Sequence, residues 1–135
     1  MDKEQIIDKL KSKEFVDFIN KYNIITVILF GSINGNDFNE ESDVDLAMIA
    51  DTEMELDKVL DIELFLQNLL DREIDVLDLR NDEVDLFVKI NILNNGKVIY
   101  SLDNNEALEA IYNETDRIYK ENENFMYFRR GDVLY

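Results

Sequence analysis

Ile24-Ile25-Thr26-Val27-Ile28-Leu29-Phe30-Gly31-Ser32, then ten residues, then Asp43-Val44-Asp45-Leu46-Ala47-Met48-Ile49-Ala50: the reading of this stretch decides the fold. Residues 24–30 are an almost unbroken apolar, β-branched run, which suits a strand buried on both faces. Residues 33–42, Ile-Asn-Gly-Asn-Asp-Phe-Asn-Glu-Glu-Ser, are polar and turn-rich and read as a loop. Residues 43–50 read as a second strand. The connection is too short for a helical crossover, so the two strands are expected to run antiparallel.

Outward from this pair, the apolar periodicity predicts helices on both sides. Ile6, Ile7, Leu10, Phe15, Phe18 and Ile19 make one helix over 4–21, kinked near Ser12. Met54 to Leu70 carries a second helix, over 53–70. Glu73 to Leu79 is a third strand, too short for a helix and too β-branched for a loop. A helix over 82–94 stops at Asn94-Asn95-Gly96. Lys97 to Ser101 is a short edge strand, and a long C-terminal helix spans about 104–130. The predicted class is α/β: a small mixed sheet of about four strands flanked by helices, in one domain over 1–135.

Composition narrows the chemistry. The chain has 135 residues and contains neither cysteine nor histidine. That excludes disulfides, thiolate metal sites, zinc–histidine sites and imidazole bases. The net charge is -17, from 31 acidic against 14 basic residues. Such a surface repels nucleic-acid backbones and favours a basic protein partner. No stretch approaches the length of a membrane span. Met1-Asp2-Lys3-Glu4-Gln5 is too polar for a signal peptide, so the expected compartment is the cytoplasm.

Side chains alternate along a strand, so Asp43 and Asp45 are expected on one face. Adjacent carboxylates repel unless a cation sits between them, and hard divalent cations such as Mg2+ take oxygen ligands alongside substrate phosphates. Gly31 permits a tight turn and close backbone approach, and Ser32 offers a hydroxyl and an N–H to a phosphate oxygen. The loop returns that cradle to the carboxylates. This is the arrangement that metal-assisted nucleotidyl transfer requires. The alternative reading is that Asp43 and Asp45 are surface charges at a strand end. The aromatic tail Phe125-Met126-Tyr127-Phe128-Arg129-Arg130 reads either as a partner-binding face or as packing for the last helix.

At Phe30-Gly31-Ser32 and Ser42-Asp43-Val44-Asp45-Leu46 the chain resembles the nucleotidyltransferase superfamily of the DNA polymerase β type, whose pattern is Gly-Ser, ten residues, Asp-x-Asp. Its length and order of elements look most like the minimal nucleotidyltransferases (MNT, or MntA-like proteins). The resemblance implies a third carboxylate on a neighbouring strand. Asp75 and Asp78 are the two candidates, and the family's pattern favours Asp75. It implies that Asp43, Asp45 and Asp75 hold two Mg2+ ions and do the chemistry, while Gly31 and Ser32 anchor the phosphates of ATP.

The resemblance further implies an antitoxin that transfers AMP to a tyrosine of a HEPN-domain (HepT-like) RNase toxin. A small hydroxyl substrate is the variant reading, and a binding module that neutralises its partner by contact is the competing one. Such proteins commonly read Gly-Ser-Arg-Ala-Arg-Gly, whereas Ile33-Asn34-Gly35-Asn36 follows the pair here. Both arginines are absent, which weakens nucleotide binding. Arg72, Arg80, Lys89 and Lys97 are the candidates to compensate.

Overall fold

Strand β1 (Ile24–Phe30) lies at the centre of the molecule, antiparallel to β2 (Val44–Ala50), in a computed structural model that describes the backbone of residues 1–134 and the side chains of residues 1–122. Strand β3 (Ile74–Asp78) adds parallel to β2, and β4 (Lys97–Ser101) adds antiparallel to β1 as an edge strand. The sheet order is β3-β2-β1-β4. It is mixed, as expected, because the β1–β2 connection is short while β2 and β3 are joined through a helix.

Helices α1 (Lys3–Leu10), α2 (Lys13–Asn20) and α3 (Leu56–Leu70) cover one face, and α4 (Leu86–Asn95) and α5 (Glu106–Leu134) cover the other. The first face holds the larger core: Val27, Leu29, Leu46 and Met48 pack on Ile6, Phe15, Ile19, Ile62 and Leu66. Phe18 of α2 stacks on Phe65 of α3 with ring centroids 3.7 Å apart and planes within 4°. The second face is smaller, with Ile28, Ala47 and Ile49 against Ile92 and Ile111. Each fully buried aliphatic or aromatic side chain stabilises the fold by about 1.5–3 kcal/mol relative to exposure.

The helix boundaries differ from the sequence reading for local reasons. The expected helix over 4–21 is two helices. The Ser12 hydroxyl donates to Lys9 O (2.6 Å) and accepts from Phe15 N (3.3 Å), closing one helix and capping the next. Helix α3 begins at Leu56, because Met54 N donates to the Asp78 carboxylate (2.8 Å) and the preceding chain stays non-helical. Helix α4 begins at Leu86, where the Asp85 carboxylate accepts from Phe87 N and Val88 N. The aromatic tail at 125–130 lies outside the residues whose side chains are described.

Candidate functional site

The end of β1 turns sharply. Gly31 has φ +81, in the left-handed region that favours glycine, and opens a 3-10 helix over Gly31–Asn34. A Cβ on Gly31 would run into the Asp45 carboxylate and turn it aside, so the absent side chain lets that carboxylate stand where it does. Buried Ile33 pins this short helix to the core, and Asn34 Nδ2 donates to Leu29 O (2.9 Å). Ser32 stands exposed beside Gly31.

Asp45 lies on β2 directly opposite Phe30 of β1 and in parallel register with Asp75 of β3. Directly paired residues share a face, so Asp45 and Asp75 project together, on the face that α4 and α5 cover elsewhere. Asp43 falls one residue before β2, rather than inside it as expected, and is exposed. Its charge still reaches Asp45. Burial raises the Asp45 carboxyl above its ordinary pKa, and the charges of Asp75 and then Asp43 add to that shift. The structure thus brings Gly31, Asp43, Asp45 and Asp75 to one corner of the sheet, with Ser32 adjoining.

Asp78 goes elsewhere. It pairs in register with Met48, is only 5% exposed, and accepts from Met54 N (2.8 Å) and Arg80 N (3.0 Å). Three residues apart on one strand, Asp75 and Asp78 serve opposite faces.

A divalent cation suits this corner. Among the described residues no three His, Cys, Asp or Glu side chains are gathered tightly enough to hold a metal by themselves. Mg2+ is ordinarily held by one or two carboxylates together with phosphates and water, so a partial set of hard oxygen donors is the fitting one. The Asp45 carboxyl is raised by burial first and then by the charges of Asp75 and Asp43, and a cation would relieve that like-charge part.

The four cations named from sequence distribute differently. Arg72 donates from Nη1 to Ser42 O (2.7 Å) and Asn39 O (3.1 Å), and from Nη2 to Met1 O (3.0 Å). Its guanidinium also lies 4.7 Å above the Phe38 ring. Arg80 donates from Nε to Ala50 O (2.6 Å). Lys89 lines a cleft with Glu53, Arg80, Asp82 and Glu114, beyond the far ends of β2 and β3. Lys97 is exposed at the site end of β4, but it pairs with Leu29, whose side chain belongs to the opposite face. The arginines therefore serve the backbone, a use that sequence alone gave no sign of. Their carbonyl partners lie 30 to 71 residues away in the chain.

A family model described as "Polymerase beta, Nucleotidyltransferase" matches residues 4–105. No curated protein sequence matches the chain. Its fold is similar to a chain of a toxin–antitoxin structure with AMP-PNP, at 19% identity and TM-score 0.73, over 94% of this chain and 98% of that one. It is also similar to a chain of the toxin–antitoxin MntA–HepT, at 18% and 0.68, over 94% and 99%. A third likeness is to a chain of the tri-AMPylated Shewanella oneidensis HEPN toxin in complex with MNT antitoxin, at 18% and 0.68, over 94% and 98%.

Proposed function

We propose, from the premise that this chain belongs to the polymerase beta nucleotidyltransferase family, that residues 1–135 act as one domain transferring AMP from ATP to a hydroxyl acceptor. The acceptor in this reading is a tyrosine of a HEPN-type (HepT-like) RNase, which the chain silences as an antitoxin. The observation that carries it is the corner itself: a glycine whose missing side chain makes room for Asp45, with Asp75 in register beside it. The AMP-PNP complex and the AMPylated HEPN toxin among the similar structures support the nucleotide and the acceptor class. The charge of -17 supports a basic partner.

Gly31 and Ser32 would receive the β- and γ-phosphates through backbone N–H and hydroxyl. Asp43, Asp45 and Asp75 would hold Mg2+, two ions at full occupancy, which neutralises triphosphate charge and lowers the pKa of the attacking hydroxyl. Asp75, exposed at this corner, would take the proton as the hydroxyl oxygen bonds to the α-phosphorus, and pyrophosphate would depart in line as its bond to that phosphorus breaks. Holding donor and acceptor in line supplies much of the rate. The cytoplasm is the compartment that fits this role. Among the described residues, no helix is long and apolar enough to cross a membrane.

A second reading is favoured by one observation. Arg72 and Arg80, the arginines that could have served the triphosphate, are committed to carbonyls. In that reading the chain neutralises its partner by contact alone. ATP labelled at the α-phosphate, incubated with Mg2+, this chain and its HEPN partner, separates the two. Label on the partner, lost in an Asp43→Ala/Asp45→Ala variant, supports transfer. A stable complex without label overturns it in favour of contact.

A further inference from the structure

Asp43 lies outside the strand, exposed, in a stretch with no regular secondary structure of its own. A carboxylate in such a place is ordinarily free to wander. Here the backbone is gripped on both sides of it. One residue before, Ser42 O accepts the 2.7 Å hydrogen bond from Arg72 Nη1. One residue after, Val44 N donates to Glu73 O at 3.0 Å. Both grips come from the Arg72-Glu73 dipeptide, which leads into β3 and Asp75. The same guanidinium also holds Asn39 O and Met1 O and rests on Phe38, so its own position is fixed from several directions.

We propose that Arg72 is a positioning residue that aims Asp43 at the metal site and couples its placement to that of Asp75. It does in this chain a task unrelated to triphosphate binding: it makes an irregular segment as definite as a strand. The inference rests on the reading of Asp43 as a metal ligand. Partners that orient a ligand without touching the metal typically change affinity about 10–100-fold when removed.

The test is Mn2+ binding to the full chain, followed by electron paramagnetic resonance, for wild type, Arg72→Ala, Arg72→Lys and Arg80→Ala. Arg80 is the matched control, an arginine that holds a carbonyl at the other end of β2. The expected result is a loss of roughly 10–100-fold in Mn2+ affinity for Arg72→Ala. Arg72→Lys, which keeps the charge and part of the donor set, should fall between. Arg80→Ala should lower Tm yet bind Mn2+ as wild type does. Amide exchange across 39–44 should quicken in Arg72→Ala.

Wild-type affinity in a folded Arg72→Ala, or an equal loss in Arg80→Ala, overturns the proposal. Should Arg72→Ala fail to fold, undiminished affinity in Arg72→Lys alongside unchanged exchange over 39–44 overturns it as well. Wild-type protein that takes up no Mn2+ instead removes the premise that Asp43 is a ligand.

Discussion

The two faces of the sheet are built for different ends. The face under α1, α2 and α3 holds the larger core, and its central-strand side chains Ile24, Val27, Leu29, Leu46 and Met48 are fully buried. The face under α4 and α5 has a smaller core, and at the Phe30 end it presents Asp45 and Asp75. Both faces are read from the same strands, one residue out of step. Leu46 points into the larger core while its neighbour Asp45 points away from it. A two-residue period thus lets one strand stabilise the fold and furnish chemistry without either set of side chains crowding the other.

Substitutions can break that division of labour. The largest stability loss is expected on the face with the larger core: Phe15→Ala, fully buried, should cost about 3–5 kcal/mol in denaturant unfolding. On the open face, Asp45→Ala should leave the chain folded by circular dichroism and reduce the proposed AMP transfer by roughly 10²–10³-fold, the scale seen when one transition-state-stabilising group is removed. Gly31→Ala tests the corner. The left-handed backbone alone should cost about 1–2 kcal/mol, and turning the Asp45 carboxylate aside should lower the proposed transfer. Thr26→Val runs the other way. The Thr26 hydroxyl is buried without a hydrogen-bond partner among the described residues, so its removal should raise stability by about 1 kcal/mol.

The smallest effect is a pH signature of the open face. The Asp45 carboxyl is raised in the folded state, so its ionised form is the disfavoured one there. It therefore costs stability above its folded pKa, and that cost disappears as pH falls below its ordinary value of 3.8. Metal-free Asp45→Asn should melt slightly above wild type at neutral pH, with the gap closing in acid. Mg2+ should raise the Tm of wild type more than that of the variant.

Much of this was legible in the sequence. The β-branched run 24–30 and the apolar run Leu46–Ala50 after Asp45 give the strands, and a ten-residue link gives their antiparallel sense. The ends of the helices were less so. Ser12 and Asp85 act through side-chain hydrogen bonds that compete with helix continuation, and periodicity does not register them. The placement of Asp75 against Asp78 needed the register of β3 on β2, a fact about two segments thirty residues apart. Arg72 was visible only as an unassigned cation, because its role lies in carbonyls contributed by distant loops.

The sheet order has a kinetic corollary. Gly31 and Asp45 are brought together by a pairing with short loop closure, which forms early as chains fold. Asp75 arrives only when α3 has docked and the parallel β2–β3 ladder has zipped. A chain emerging from the ribosome therefore assembles this corner in two instalments. The strand bearing Asp75 is the natural place for a slow step, and substitutions in α3 should delay the corner's completion without altering its final form.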